Sequence, residues 1–538
     1  MGENSFYITT PIFYVNDRPH IGHAYTTILA DVLARYHRLF GEETHFLTGT
    51  DEHGLKVQNA AEKNGVTPLE HCDTFVKRFQ ELWVRLGISN DDFIRTTEER
   101  HTEIVTKVLQ DLKERDLIYQ AEYEGWYCVP CERYFMEKDL KDGCCPDCGR
   151  PVQRLVEKNY FFRMSKFQQQ LIDYINSHPG FIQPDNRRSE ILGFLRQPLG
   201  DLCISRAKSR LTWGIELPFD KDYVTYVWVD ALVNYISAVG YLKDDREFAK
   251  WWPANYHLIG KDILTTHAVY WTTMLMALNL PQPKSIFAHG WWLIDVSKMC
   301  KSVGNVVNPM DMADKYGVDA LRYYLMAQMT LGQDANFSEL SFCLRFNADL
   351  ANNLGNLLSR VVTMINKNCG GKLPAGQEAT ADENDLACAC RAAAAEMKSA
   401  VLNMQLDRGL ASVTAALSAA NRYFDTMKPW ALAKAGETDK LGRVLRNSAE
   451  ALRICAELLT PVMPGKMAEL LRLLGQPEDA PMTAVAAEQK WFGLPDGAQV
   501  GTIEKPLFPR IDLSPELKEQ LQKMSQAAGK TTQKAQNS

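Results

Sequence analysis

No stretch of this 538-residue chain stays apolar long enough to span a bilayer, so a helical membrane span is excluded. Met1-Gly2-Glu3-Asn4 lacks the basic flank and apolar core of a secretory signal. Gly2 alone is too little for a lipidation motif. Excess charge of one sign is also lacking. Lys and Arg number 60 against 66 Asp and Glu, a net −6, so any nucleic-acid surface has to be a local patch. The 13 cysteines are odd in number and have no signal in front of them, so reduced thiols in a cytosol are expected rather than a disulfide framework. Ala528-Gly529-Lys530-Thr531-Thr532 ends like a phosphate-binding loop, but Met524 stands where the first glycine belongs and no strand precedes it. What remains, 46% hydrophobic and 23% charged, fits a globular protein long enough for several domains and large cores.

The chain is organised around Pro19-His20-Ile21-Gly22-His23. The run Phe6 to Pro11 before it reads as a buried strand. Ile28, Leu29, Val32, Leu33 and Tyr36 after it recur at helical spacing. The two histidines therefore stand where a strand hands over to a helix N-terminus. Backbone N–H groups and the helix dipole both favour phosphate there. Gly22 lets a ligand come close to the backbone. A second stretch, Lys298-Met299-Cys300-Lys301-Ser302, lies far downstream. Alone, either stretch reads as an ordinary helix start or a solvated basic loop.

Strands and helices alternate from 1 to about 117. Glu43 to Thr50 reads as a strand, so Asp51 falls at its C-terminal end, the ligand-binding edge of an open α/β sheet. Asp51 suits a substrate amine there and equally a helix N-cap. Helices are expected over Thr67–Leu86 and Glu98–Asp116. Residues 118–225 interrupt the pattern with Cys128-Val129-Pro130-Cys131 and Cys145-Pro146-Asp147-Cys148. Two such pairs read as one tetrahedral zinc site, closed by four protein thiolates and so structural. Residues 226–305 return to α/β, with strands at Tyr223–Val229, His257–Gly260 and Ser285–Gly290 and a helix at Ile263–Leu278. His267 and Trp271 share one face of that helix, which by itself reads as a core face. From about 340 the pattern turns helical: Arg345–Cys369, Glu383–Met404, Gly409–Met427, Asp439–Leu459 and Met463–Leu474 predict a bundle. Residues 513–538 read as a polar helical or disordered tail.

His-Ile-Gly-His followed by Lys-Met-x-Lys-Ser resembles the signature pair of class I aminoacyl-tRNA synthetases. Further matches extend the resemblance to the methionyl family, from about Phe6 to Asp512: Pro11-Ile12-Phe13-Tyr14, Gly49-Thr50-Asp51-Glu52-His53-Gly54, Tyr226-Val227-Trp228-Val229-Asp230-Ala231, Gly260-Lys261-Asp262-Ile263, and Asn421-Arg422-Tyr423-Phe424 leading to Lys428-Pro429-Trp430. A single pair of cysteine knuckles resembles the one-zinc branch.

The resemblance implies a Rossmann-like core in two halves (1–117 and 226–305), a zinc-bearing insertion (118–225), a stem-contact segment (306–343), a helical anticodon-binding domain (344–512) and a tail (513–538). It implies activation of L-methionine by Mg2+-bound ATP and transfer to the terminal adenosine of tRNA(Met). His20, His23, Lys298 and Lys301 would be catalytic. Gly22, Gly260, Lys261 and Asp262 would join them in binding ATP. Asp51 would take the methionine ammonium, and Ile12, Tyr14, Trp228, Ala231, Tyr235, Ile263, His267 and Trp271 the side chain. Asn356, Arg360 and Trp430 would read the anticodon, and Cys128, Cys131, Cys145 and Cys148 would hold one structural Zn2+. Two features depart from the family. Cys300 replaces the usual serine, and no further tRNA-binding and dimerising domain follows Leu507–Ile511, which favours a monomer, the tail equally fitting the stump of a linker to such a domain. A sister synthetase for leucine, isoleucine, valine or cysteine shares both signatures, although 118–225 is short for the editing insertion of the large aliphatic enzymes. A non-catalytic zinc-knuckle RNA-binding protein is the other alternative.

Overall fold

The computed structural model describes residues 5–15, 19–128, 133–135, 137–146, 148–294, 297–298, 308–376, 381–484 and 491–523. The chain divides into two compact units, Met1–Arg38 with Glu42–Gly290, and Leu39–Gly41 with Trp291–Ser538.

A seven-stranded parallel sheet organises the first unit. Strand β1 (Ser5–Thr9) lies inside it, between β3 (Glu43–Asp51) and the strand Tyr256–Gly260. Beyond Tyr256–Gly260 come Ser285–His289 and then Ile182–Gln183. The short β2 (Phe13–Tyr14) and β4 (Asp92–Arg95) both pair with β3. Phe6, Tyr7 and Ile8 are buried on both faces of the sheet. A covered parallel strand reads as a continuous apolar run for that reason. The order reverses about β1, which opens a crevice at the strands' C-terminal ends.

Helix α1 (Ile21–Leu39) follows β2 and is buried along most of its length. Helices α2 (Leu55–Asn64) and α3 (Pro68–Leu86) follow β3. The expected start of α3 is met by a capping box: Thr67 accepts from the Glu70 N–H, and Glu70 accepts from the Thr67 N–H. Gly87, at φ +67°, closes the helix in the left-handed conformation that glycine adopts without strain. Helix α4 (Glu99–Glu114) completes the first half.

The interrupting segment opens with a long antiparallel pair, Ile118–Cys128 against Gln153–Phe162, flanked by Arg133–Phe135 and Leu202–Cys203. Cys128 and Cys145 bury with Phe135 in a small apolar cluster at its far end, against Leu140 and Val152. Ile182–Gln183, inside the range 118–225, joins the parallel sheet rather than this one.

The expected strand Tyr223–Val229 needs correction. The strand is Asp220–Thr225, and a helix runs from Val227 to Ser237. A short apolar run cannot by itself separate a buried strand from a buried helix. Here the Asp230 N–H donates to the Tyr226 carbonyl, so the helix has already begun at the tryptophan. Likewise Ile263–Leu278 is not one regular helix. A 3-10 turn, Lys261–Ile263, leads through a π-helical turn, Thr266–Trp271, into the α-helix Thr272–Ala277.

The second unit opens on a three-stranded sheet: Trp292–Ile294 pairs with Ser297–Lys298 and with Ala335–Asn336. Helices then run Pro309–Tyr316, Val318–Gln328, Glu339–Arg345, Asn356–Asn368, Ala381–Leu402, Leu406–Met427, Pro429–Ala435, Thr438–Leu459 and Pro464–Leu473. The expected helix Arg345–Cys369 is split, with a π-helical stretch at Phe346–Gly355. Thr438–Leu459 carries buried Arg446, Glu450, Arg453 and Glu457. Glu450 bridges both arginines, and Arg453 also pairs with Glu457. The two glutamates accept further backbone N–H groups from Gly493, Leu494, Thr483 and Ala484. Buried charge is tolerated when paired and hydrogen-bonded in this way, and here it ties down the segment after the bundle. Residues 515–523 are helical, and Ser514 accepts from the Leu517 N–H. Among the described residues no helix is long and apolar enough to cross a membrane.

Candidate active site

The two signature histidines stand together where β2 gives way to α1. Their rings stack with centroids 3.8 Å apart. The Gly22 N–H donates to His20 Nδ1 at 3.1 Å, and the His20 N–H donates to His23 Nδ1 at 3.2 Å. A ring nitrogen that accepts carries no hydrogen, so each neutral ring keeps its hydrogen on Nε2. Both imidazoles are thereby set as Nε2 donors. A Cβ on Gly22 would lie 2.9 Å from His20 Cε1. The glycine thus makes room for the His20 ring as it folds back over the helix start.

Asp51 ends β3 as expected and is buried. Its carbonyl accepts from the Val15 N–H, and the Tyr14 hydroxyl donates to the His53 carbonyl at 2.8 Å. Gly260 ends its strand and Lys261 and Asp262 form the turn after it. Asp262 Oδ1 lies 2.7 Å from where a Cβ on Gly260 would sit, so a side chain there would displace the carboxylate.

Most of the residues assigned to an amino-acid pocket belong to, or pack against, one large hydrophobic core. Tyr235 and Trp271 belong to one core, against which Ile12, Tyr14, Trp228 and Ile263 pack half-buried. Ala231 is buried on the same helix as Trp228 and Tyr235. The Tyr235 ring lies 5.8 Å from His267 and 6.0 Å from Trp271. His267 Nδ1 faces the Ile263 carbonyl at 2.9 Å and must donate to it, so Nε2 accepts from the Tyr235 hydroxyl at 2.8 Å. Burial lowers the His267 pKa to about 4, which keeps the ring neutral in this tautomer near neutral pH.

Three histidine contacts at these strand ends went unassigned in the sequence. Asp230 is fully buried between His53 Nδ1 at 2.6 Å and His101 Nε2 at 2.8 Å. Burial pushes its pKa up, but the two histidines outweigh burial and hold the carboxyl below its ordinary range. His289, at the end of Ser285–His289, meets Thr26 of α1 through Nε2 at 2.8 Å. Asp230 and His53 both stand inside motifs legible in the sequence, but nothing local marks them as partners.

Cys128, Cys145 and Cys148 bring their sulfurs within 4.8 Å of one another. Cys131 lies outside the described residues. Four sulfurs 2.3 Å from one tetrahedral zinc stand about 3.8 Å apart. The Cys128–Cys148 separation of 3.5 Å is close to that value, so the donor set fits a thiolate-bound metal.

In the second unit Arg360 lies 4.6 Å from the Phe424 ring and 5.7 Å from the Trp430 ring, and pairs with Asp425. Trp430 is 48% exposed, unusual for so large an apolar ring. Asn356 is exposed at the start of its helix. The backbone of Lys298 lies in the strand Ser297–Lys298, while Cys300 and Lys301 lie outside the described residues.

Residues 6–157 and 152–362 match the family model for class I tRNA synthetases (M), and residues 373–527 match the anticodon-binding domain of methionyl tRNA ligase. A methionine–tRNA ligase from Caldanaerobacter subterraneus subsp. tengcongensis is 46% identical over 518 residues, covering 96% of this chain and 80% of the relative. One from Thermotoga maritima is 44% identical, covering 94% and 80%. The solved structure of Mycobacterium tuberculosis methionyl-tRNA synthetase in complex with methionyl-adenylate superposes with a TM-score of 0.88 at 37% identity, covering 94% of this chain and all of that one. The apo form of the same enzyme gives 0.82 at 34% identity, covering 95% and 99%.

Proposed function

The chain belongs to the methionyl family of class I tRNA synthetases, and from that membership we propose how its residues divide the work. The enzyme activates methionine with ATP and charges tRNA with it. In the first step a methionine carboxylate oxygen attacks the α-phosphorus of ATP. The bond to the bridging oxygen breaks, and pyrophosphate leaves with the electron pair. The tRNA terminal hydroxyl then attacks the carbonyl carbon of the mixed anhydride, losing its proton as AMP departs. Neither step needs a protein nucleophile. Both need alignment and charge stabilisation.

His20 and His23 supply Nε2–H donors to the oxygens of the reacting phosphorus. The observation that carries this reading is the pair of backbone N–H groups held by the two Nδ1 atoms. Lys298 and Lys301 neutralise the departing pyrophosphate, and Mg2+ accompanies ATP. Gly22, Gly260, Lys261 and Asp262 seat the nucleotide at the strand ends. Asp51 pairs with the methionine ammonium. Ile12, Tyr14, Trp228, Ala231, Tyr235, Ile263, His267 and Trp271 take the thioether, whose contacts with rings are favourable by roughly 0.3–1.5 kcal/mol. A neutral His267 suits an uncharged side chain. Asn356, Arg360 and Trp430 meet the anticodon, Trp430 by stacking. The core halves are 1–117 and 226–305, with the insertion at 118–225, the stem contact at 306–343, the anticodon-binding domain at 344–512 and a tail beyond. The cytosol, where ATP, methionine and tRNA meet, is the proposed location.

ATP–pyrophosphate exchange over a panel of amino acids tests the substrate. Exchange with methionine is expected to exceed that with leucine, isoleucine or cysteine by far, and comparable exchange with leucine would overturn the pocket assignment. For the metal, elemental analysis is expected to give one zinc per chain, held by Cys128, Cys131, Cys145 and Cys148. Cys128→Ser should lower zinc content and loosen the segment around Phe135, since structural zinc contributes folding energy. A chain that is fully active and folded with no zinc would refute this.

A further inference from the structure

The buried Asp230 is not among the residues assigned to the pocket, yet it joins elements that carry them. It lies in the helix Val227–Ser237, next to Ala231 and five residues before Tyr235. One carboxylate oxygen takes the ring N–H of His53, two residues past Asp51. The carbonyl of the same His53 holds the Tyr14 hydroxyl. The other oxygen takes the ring N–H of His101, which rises from α4 and reaches Ser237 through Nδ1 at 2.8 Å. Three elements therefore meet on one carboxylate: the end of β3, the pocket helix and α4. Trp213 braces the junction, donating its Nε1–H to the Glu52 carbonyl while its own carbonyl accepts from the Gly54 N–H.

An apolar residue at position 230 would spare the cost of burying charge. A carboxylate offers what an apolar residue cannot, two acceptors at fixed angles that set the spacing of two walls. We propose that Asp230 is a positioning residue for methionine. Through His53 it fixes the distance between the wall bearing Tyr14 and Asp51 and the wall bearing Trp228, Ala231 and Tyr235. This rests on the pocket assignment made above.

The test is pyrophosphate exchange by the full chain, with KM measured separately for methionine and ATP. Asp230→Asn keeps the shape but turns one acceptor into a donor, so one histidine loses its present bond. KM for methionine is expected to rise about tenfold or more, the scale of one lost hydrogen bond to a charged group, while KM for ATP stays within about twofold. A role in stability alone would lower the melting temperature and leave KM for methionine unchanged, and that result overturns the proposal. If Asp230→Asn does not accumulate as folded protein, His101→Gln decides by the same criterion, because His101 braces the carboxylate from outside the pocket. Tyr235→Phe separates the two levels. If it raises KM for methionine and Asp230→Asn does not, the positioning role fails alone. If neither moves KM, the pocket assignment fails as well.

Discussion

His20→Ala is expected to slow methionyl-adenylate formation by about 10²–10³-fold, the loss typical of removing one preorganised donor to developing negative charge. The size follows from how the ring is held. Its Nδ1 is engaged by the Gly22 N–H and its face lies against His23, so the tautomer and the plane of the ring are set before substrate arrives. A donor that needs no reorganisation at the moment of reaction is worth more than the same group in water. The ring is half-buried rather than part of the core, so the melting temperature should fall less than for a core substitution. KM for methionine should also hold, since the assigned methionine contacts lie on other residues. Pyrophosphate exchange at saturating substrates gives the measurement, beside a thermal melt. A loss below about tenfold would remove His20 from the set of groups that stabilise the transition state.

That stacked pair was the most legible part of the chain, because its meaning is local. A strand, two histidines, a glycine and an amphipathic run occupy one short stretch. The Thr67-Pro68-x-Glu70 start of α3 was legible for the same reason, since a cap is written in four consecutive residues. The strand ends that carry Asp51 and Gly260 also fell where their sequences put them.

What sequence could not give is non-local. Asp230 and His53 stand 177 residues apart, and Asp230 and His101 stand 129 apart, so no pattern along the chain joins them. The π-helical turn Thr266–Trp271 was hidden because apolar residues give the same run in an α- or a π-helix. Trp228 and Val229 read as strand in the sequence because a short apolar run bears no period of its own. The Arg446–Glu450–Arg453–Glu457 ladder has the spacing of one helix face, and nothing in that spacing tells whether the face is exposed or covered. The backbone N–H groups of Thr483, Ala484, Gly493 and Leu494 meet its glutamates, so chain well beyond the helix helps to cover those charges. Charge pattern alone does not show which face a later piece of chain will cover.

Gly49→Ala is expected to destabilise the first unit by more than about 3 kcal/mol, above the usual range for overpacking. Gly49 lies in β3, directly opposite Ile94 of β4. A Cβ there would sit 2.0 Å from the Ile94 carbonyl oxygen, 2.9 Å from its Cγ2 and 3.0 Å from its carbonyl carbon. A side chain could turn aside, but a carbonyl inside a parallel ladder cannot. One strand must leave the other, and the ladder bonds flanking the pair weaken together. The damage should also reach the site, because Thr50 and Asp51 follow at once and Thr50 pairs with Arg95. Arg95 in turn donates to both oxygens of the buried Glu52. The variant should therefore melt several degrees lower and, where still folded, show a raised KM for methionine. Only one methyl is added, which makes the experiment sharp: at an open position Gly→Ala in a strand is mild or stabilising. A thermal melt within about 2 °C of the parent, well under the shift 3 kcal/mol should give, would mean that β3 and β4 separate at this point without cost. Gly49 would then have no packing role.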